Sequence, residues 1–205
     1  MVLRDDEIRK MVKGRYSDIV RSGDPCCSPG CCGEQSSPFH IVEMGQKVGY
    51  TEEQLGIGLA EANLGLGCGN PLAVADIQLG EQVVDLGCGA GFDAFLAAKS
   101  VGPDGFVIGI DMTSEMINKA EENAKKLNVE NIEFRLGEIE HLPVENNSVD
   151  VVLSNCVINL SPDKQTVYGE IFRILKPGGR ISISDVLRSR DIPTALRDDP
   201  SAYTG

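Results

Sequence analysis

Residues that could do chemistry form two groups in this chain of 205 residues: acids near a glycine-rich turn, and cysteines. Asp85 opens the string Asp-x-Gly-x-Gly-x-Gly over residues 85–91, between an apolar run and a predicted helix. A strand that turns on glycines into a helix presents backbone N–H groups and a positive helix end to a ligand. The spacing differs from the Gly-x-Gly-x-x-Gly of dinucleotide folds. With a carboxylate at its start, the turn favours a cationic or hydroxyl-bearing ligand over a pyrophosphate.

Two further acids follow the next two predicted strands. Asp111 lies 20 residues beyond Gly91, where an acidic residue binds ribose hydroxyls in doubly wound folds. The alternative is an aspartate that only precedes a helix. Glu138 follows the third predicted strand and would reach the same crevice, whereas the alternative is a solvent-exposed acid in an acidic loop.

The second group is the seven cysteines, of which four fall within residues 26–32. Because the chain shows no export signal, these cysteines are expected to be thiols and not a disulfide framework. Adjacent cysteines rarely bridge each other, and Cys-Cys-x-x-x-Cys-Cys fits zinc spacing poorly. For this cluster the alternatives are binding of a soft, thiophilic cation or a redox relay, a structural metal, or a loop without chemistry. A small buried apolar role is the commonest for a lone cysteine and is preferred for Cys88.

Composition limits the partners. The net charge is −12, from 31 acidic and 19 basic residues. Phosphate backbones and anionic membrane surfaces attract Lys and Arg, so neither nucleic acid nor a membrane is an expected partner. No apolar run approaches the roughly 18 residues of a membrane span, and residues 1–20 are charged throughout, unlike a signal peptide. We therefore expect a cytoplasmic protein. We also expect a monomer that acts on a small molecule.

Strands and helices alternate regularly from residue 82 onward. Apolar runs of strand length are followed by helical periodicity, with capping and turn signals at the boundaries. The predicted strands are 82–86, 106–110, 132–136, 149–154 and 180–186, and the predicted helices are 92–101, 114–127 and 162–175, the last ended by the turn 176–179. This alternation indicates an α/β fold, a doubly wound parallel sheet covered on both faces. Before it, Asp5 can cap a helix, and Thr51 with Gln54 has the form of a capping box.

Four strings resemble the S-adenosylmethionine-dependent methyltransferases of the Rossmann-like class. They are Val-Asp-Leu-Gly-Cys-Gly-Ala-Gly (84–91), Gly-Ile-Asp-Met-Thr (109–113), Leu-Gly-Glu-Ile-Glu-His-Leu-Pro (136–143) and Leu-Lys-Pro-Gly-Gly-Arg (175–180). The resemblance covers about residues 64–186 and implies the strand order 3-2-1-4-5. It also implies S-adenosylmethionine as cofactor, bound by Asp85, Gly87, Gly89, Gly91, Asp111, Met112, Glu138, Ile139 and Asn155.

The same resemblance assigns roles by position. Asp85, Gly87 and Gly89 would line the methionine part of the cofactor, and Asp111 would hold the ribose hydroxyls. At the other end of the cofactor, Met112 would pack on the adenine.

Three later residues complete the implied cofactor site. Glu138, where the family usually has Asp, would accept a hydrogen bond from the adenine amino group, with the backbone N–H of Ile139 beside it. Asn155, at the end of the fourth strand, would lie near the sulfonium.

Two further strings look like those of the arsenite methyltransferases. They are Asn-Leu-Gly-Leu-Gly-Cys-Gly-Asn-Pro (63–71) and Ser-Asn-Cys-Val-Ile-Asn-Leu (154–160). In that family the cysteines at the positions of Cys68 and Cys156 bind trivalent arsenic, which is soft and thiophilic. Its lone pair makes arsenic(III) a nucleophile that needs no general base. The resemblance thus implies arsenite methylation for detoxification, a thiol reductant of the glutathione or thioredoxin type, and further candidate arsenic ligands at Cys26, Cys27, Cys31 and Cys32.

The expected organisation is a helical, cysteine-rich, substrate-capping segment over 1–70 and an S-adenosylmethionine-binding domain over 71–205. Relatives of this kind generally continue into a region with a further arsenic-binding cysteine, and the last two strands usual for the fold are absent. We therefore expect the domain to be C-terminally incomplete. One alternative is another small-molecule methyltransferase, acting on a quinone or sterol-like carbon, which would not need paired cysteines. The other is a non-catalytic thiol protein that binds soft metals.

Overall fold

The computed structural model describes residues 4–22, 38–56 and 62–187. Its strands, in chain order, are β1 (Gln82–Leu86), β2 (Phe106–Asp111), β3 (Ile132–Leu136), β4 (Val149–Asn155) and β5 (Leu175–Ser184). They form one sheet in the order β3-β2-β1-β4-β5, and every neighbouring pair is parallel. The predicted fold class and strand order are confirmed.

The described helices precede the sheet or connect its strands. They are α1 (Asp5–Ser22), α2 (Pro38–Lys47), α3 (Glu52–Gly56), α4 (Leu72–Ala75), α5 (Phe92–Val101), α6 (Ser114–Leu127) and α7 (Lys164–Ile174), with a 3₁₀ helix at Ile158–Leu160. Among the described residues, no helix has the length and apolar character that crossing a membrane requires. The predictions for the cysteine cluster at 26–32 lie outside the described residues.

The core lies on both faces of the sheet, because the central strands are apolar at nearly every position. On one face, Val84 packs in a cluster with Ile171 and Ile174 of α7. On the other face, Val83 packs in a cluster with Ala94 and Val101 of α5. With both faces covered, the carboxyl edge of the sheet is the surface on which polar groups from different strands can meet a ligand.

Two predicted boundaries are corrected. Helix α7 begins at Lys164 and not at residue 162, because the Asp163 carboxylate accepts the N–H of Thr166 at 3.0 Å and caps the helix there. Strand β5 begins at Leu175, so the predicted turn at 176–179 lies within the strand as an irregularity. Its register to β4 shifts between Val149 and Val151, which accommodates the extra residues.

The segment before the sheet is fixed by local capping and by ion pairs. The capping box predicted at α3 is confirmed: Thr51 N–H donates to Gln54 Oε1 at 2.9 Å, and Gln54 N–H donates to Thr51 Oγ1 at 3.2 Å. Helix α1 packs on α6, where Ser17 Oγ donates to Glu115 Oε2 at 3.2 Å and Arg21 pairs with the same carboxylate. This packing brings α1 over the carboxyl edge of the sheet.

Candidate functional site

A cavity of about 150 Å³ lies at the carboxyl edge of the sheet. Its walls come from the loops after β1, β2, β3 and β4, and residues of α1 and of the segment 62–67 cover it. Most of the predicted cofactor residues, together with one predicted arsenic ligand, line this cavity: Asp85, Gly87, Gly89, Asp111, Met112, Ile139, Asn155 and Cys156. The structure therefore brings together residues that are up to 71 positions apart in the sequence.

The glycine turn after β1 has the backbone that its sequence predicts. Gly87, Gly89 and Gly91 have φ of +64°, +53° and +96°, in the left-handed region that favours glycine. Gly91, predicted as a cofactor residue, is not part of the cavity wall. It stands at the N-terminus of α5, where a Cβ atom would lie 2.7 Å from the ring of Phe95. Gly91 is therefore required for its backbone conformation and for packing against Phe95, and not for contact with a ligand in the cavity.

Asp85 is a buried acid without a complete set of partners. Its Oδ2 is buried and has no hydrogen-bond partner among the described residues. Burial, with the neighbouring carboxyls of Asp93 and Asp111, raises the pKa of Asp85 well above its usual value. An unpaired buried oxygen among three acids is a site for a cationic or hydrogen-bond-donating ligand. S-adenosylmethionine, which carries an ammonium and a sulfonium, fits this chemistry.

Asp111 joins the loops after β1 and β2. Its carboxylate accepts the N–H of Gly89 at 3.1 Å and the N–H of Thr113 at 2.8 Å. Burial raises the pKa of Asp111, while these backbone hydrogen bonds oppose the shift. The two N–H groups hold the carboxylate in one orientation at the cavity wall, where ribose hydroxyls could donate to its remaining lone pairs.

Glu138 does not reach the cavity, in contrast to the role predicted for it. Its side chain is 50% exposed and lies 3.7 Å from Nε of Arg9 in α1. Its neighbour Ile139 lines the cavity, and successive side chains of extended backbone project to opposite sides. In the loop after β3, the acid that lines the cavity is Glu140, which accepts a hydrogen bond from Ser161 Oγ at 2.7 Å and pairs with Arg9 at 3.3 Å.

A buried polar network connects the covering segment to the sheet. Tyr50 Oη donates to Asp93 Oδ1 at 2.6 Å, and Nδ2 of Asn155 lies 2.9 Å from Asp93 Oδ2 and 3.0 Å from Tyr50 Oη. The same Nδ2 lies 2.9 Å from the carbonyl oxygen of Gly69, and Asn155 Oδ1 accepts the N–H of Cys68 at 3.1 Å. Burial and the Asp93 carboxyl raise the pKa of Tyr50, so its hydroxyl remains a donor at neutral pH. Asn155 therefore holds the loop that carries Cys68.

The Asp93 carboxyl makes stability depend on pH. Burial raises its pKa from 3.8 to about 6, although the hydrogen bonds from Tyr50 and Asn155 oppose the shift. The folded state then binds more protons than the unfolded state between these two values, so the contribution of Asp93 to stability is fully present below pH 3.8 and is lost as pH rises to about 6. The contribution is about 3 kcal/mol.

The variant Asp93→Asn tests this assignment by urea denaturation. As pH is raised from 4 to 6, the free energy of unfolding should fall less in Asp93→Asn than in the wild type, because the amide does not titrate. Identical pH dependence in both proteins would contradict the assignment.

Cys68 and Cys156 come together across the ends of β4 and β5. Their Cα atoms are 5.8 Å apart and the structure joins the two side chains as a disulfide, where sequence reasoning expected thiols. The lack of an export signal says nothing about which cysteines meet, whereas this contact arises from the way the 67–69 loop crosses the sheet edge. Gly67 is needed there, because a Cβ would lie 2.7 Å from Asn155 Nδ2. Cys156 has φ of +55°, an uncommon backbone for a residue with a side chain and one found often at functional sites.

Cys88 is separate from this pair. It lies in the glycine turn, is buried, and is a free cysteine. Burial, with the carboxyls of Asp111 and Asp85, raises the pKa of the Cys88 thiol well above its usual value. The thiol is therefore protonated and unreactive at neutral pH, which agrees with the packing role preferred from the sequence.

Several residues of the site were not found from the sequence. Asp93 had a usable signal, since it lies in the first turn of α5 after the glycine turn. Asp185, which lies beside Cys68 and Cys156, also had one, since it directly follows the fifth strand. Tyr50 and Arg9 had none, because Arg9 lies in α1 and Tyr50 between α2 and α3, and the path of these segments over the sheet edge is a tertiary property.

These features define the class of protein. A doubly wound parallel sheet, a glycine turn after β1 and an acid at the end of β2 form a nucleoside-cofactor-binding α/β domain. A family profile described as "Methyltransferase domain" matches residues 77–205, and the chain belongs to this family. The resemblance to methyltransferases is thereby confirmed.

Individual relatives make the comparison more specific. An arsenite methyltransferase of Halobacterium salinarum is 49% identical over 209 residues, which cover 98% of this chain and 52% of the relative. The crystal structure of an arsenic(III) S-adenosylmethionine methyltransferase from Chlamydomonas reinhardtii is 40% identical, with a TM-score of 0.62, over 78% of this chain and 54% of that one. A demethylmenaquinone methyltransferase of Lactococcus lactis is 44% identical over 50% of this chain and 40% of its own length. The chain spans about half the length of the curated arsenite methyltransferases it matches.

Proposed function

We propose that this chain carries S-adenosylmethionine-dependent methylation of trivalent arsenic. The observation that supports it is the meeting of Cys68 and Cys156 beside the candidate cofactor cavity, which Cys156 lines. Two sulfur atoms at one point are a ligand set for a soft, thiophilic centre. The similarity to arsenite methyltransferases over nearly the whole chain agrees with this assignment.

In this proposal the cofactor occupies the acidic cavity. Asp85 would pair with its cationic methionine part, Gly89 would allow close approach of the backbone, and Asp111 would hold the ribose hydroxyls. When bound, S-adenosylmethionine supplies an electrophilic methyl group on its sulfonium. The cavity's own residues bind and orient the cofactor, and they exclude water from the position where the substrate lies.

The substrate is held by the two cysteines in their dithiol form. A thiol reductant of the glutathione or thioredoxin type would give two electrons and two protons to the Cys68–Cys156 disulfide, and would itself be oxidised to a disulfide. Residues 1–70 act as the substrate-capping segment, since they supply Cys68 and the Tyr50 hydroxyl that joins the Asn155 network. No proton has to be removed from arsenic, because its lone pair is the nucleophile.

The test is methylation of arsenite by the chain with S-adenosylmethionine and a thiol reductant, measured by arsenic speciation. We expect Cys156→Ser to lose methylation by about 100-fold or more, because one sulfur ligand is missing. The affinity of the variant for S-adenosylmethionine, measured by calorimetry, should stay close to that of the wild type. Cofactor affinity is therefore the internal control for folding.

Other outcomes separate the competing functions. Normal arsenite methylation by Cys156→Ser would contradict the role of the cysteine pair. Cofactor binding without arsenite methylation would favour a carbon acceptor such as a quinone, and no binding at millimolar cofactor would favour a thiol protein that only binds soft metals.

A further inference from the structure

A third ligand-bearing group lies beside the two cysteines. The Sγ atoms of Cys68 and Cys156 and a carboxylate oxygen of Asp185 all lie within 4.8 Å of one another. Asp185 directly follows Ser184, the last residue of β5, so the sheet edge places it there in the same way that it places Asp111 at the end of β2. The group thus combines two soft donors with one hard oxygen donor.

The backbone holds the Asp185 carboxylate in a defined position. Asn159 N–H donates to Asp185 Oδ2 at 3.0 Å, and Val186 N–H donates to Oδ1 at 2.7 Å. The Cys68–Cys156 pair is held to the same strand end, because Cys156 N–H donates to the carbonyl oxygen of Ser184 at 2.8 Å. Each carboxylate oxygen keeps a lone pair beyond its backbone bond, and these are available to a group bound at the sulfur atoms.

We propose that Asp185 accepts a hydrogen bond from the hydroxyl group that remains on arsenic when the two cysteines bind it. This inference rests on the proposed function. Arsenous acid, As(OH)₃, exchanges two hydroxyl groups for the two sulfur atoms. Two As–O bonds break, two As–S bonds form, and two water molecules leave with the two thiol protons. The oxidation state of arsenic does not change.

The third substituent of arsenic explains why an oxygen acceptor belongs here. Arsenic(III) with two sulfur ligands still carries one hydroxyl, and a third sulfur is not present among the residues described near this pair. A carboxylate beside that hydroxyl fixes the rotation of the arsenic centre and therefore the direction of its lone pair. Asp185 is thus a specificity determinant for the substrate with a free hydroxyl, arsenite itself.

The test compares two arsenic compounds that differ at this third position. Arsenite keeps a hydroxyl after binding two sulfurs, whereas phenylarsine oxide carries a phenyl group there. Binding is measured by anaerobic calorimetry on the full chain reduced with a phosphine, with Cys26, Cys27, Cys31 and Cys32 changed to serine so that they cannot bind arsenic. We expect Asp185→Ala to weaken arsenite binding about 10- to 100-fold and phenylarsine oxide binding less than about twofold. Asp185→Asn, which keeps one acceptor oxygen, should lie between.

The outcomes distinguish this inference from the proposed function. Unchanged arsenite affinity in Asp185→Ala would overturn the role of Asp185. An equal loss for both compounds would also overturn it, because Asp185 would then only shape the cysteine pair. If neither compound binds while Asp185 is intact, the proposed function fails as well.

Discussion

Asn155→Asp is expected to lower the free energy of unfolding at pH 7 by about 3–5 kcal/mol, since it leaves buried charge without a partner. The new carboxylate has the shape of the amide and can still accept the N–H of Cys68. It can no longer donate to the Gly69 carbonyl or to Asp93, whose Oδ2 lies 2.9 Å from the present amide nitrogen. Two buried carboxylates would then face each other. Urea denaturation measures the loss.

The pH dependence of this loss identifies its cause. At pH 5, below the value of about 6 to which burial raises the pKa of Asp93, that carboxyl is protonated and can donate to the new carboxylate. The deficit should therefore be smaller at pH 5 than at pH 7.

Asn131→Asp is a matched control, because Asn131 donates to the carbonyl oxygens of Ala98 at 3.0 Å and Gly102 at 2.8 Å, with no carboxylate among these partners. We expect it to cost about 1–2 kcal/mol. Equal losses in the two variants would contradict the carboxylate contact.

Gly87→Ala is expected to lower the free energy of unfolding by about 3 kcal/mol. Its φ of +64° costs an L-residue about 1–2 kcal/mol, and the added Cβ would lie 2.5 Å from Cγ2 of Val157. Overpacking of this kind adds about 1–3 kcal/mol. Because Val157 belongs to the loop after β4, the substitution should also displace the neighbouring Cys156. Chemical denaturation is the measurement.

Gly89→Ala separates backbone strain from the contact. Its φ of +53° is similar, but the nearest heavy atom to the added Cβ is Met116 Sδ, at 3.9 Å. We expect a loss of stability of about 1 kcal/mol.

Gly89→Ala should also affect the cofactor. Because Gly89 lines the cavity, the added methyl group should weaken S-adenosylmethionine binding by about tenfold, or 1.4 kcal/mol. Equal stability losses for the two alanine variants would exclude the Val157 contact, and unchanged cofactor affinity would exclude Gly89 from the cofactor site.

Much of the domain followed from local patterns. The order of strands and helices after residue 82, the strand order in the sheet and the glycine turn agree with prediction, although the bounds of α7 and β5 differ. Periodicity and turn residues report on neighbouring residues, and the rule that parallel strands share a carboxyl edge places Asp85, Asp111 and Asn155 together. This rule placed the residues at the edge correctly without knowledge of side-chain direction, except at Glu138, whose half-exposed side chain lies beside Arg9 and not in the cavity wall.

The arrangement of the cysteine site was decided only by the tertiary structure. The sequence by itself identified Cys68 and Cys156 through their unusual strings, and it placed Cys156 at the sheet edge. The resemblance implied that both cysteines bind arsenic, but it did not show how the loop of Cys68 reaches Cys156, nor that Asn155 and Asp185 surround the pair, because these contacts join segments 26 to 117 positions apart. Such contacts depend on the path of the 67–69 loop over β4 and β5. Packing of this loop against Asn155 and Ser184 determines that path, and no local sequence pattern encodes it.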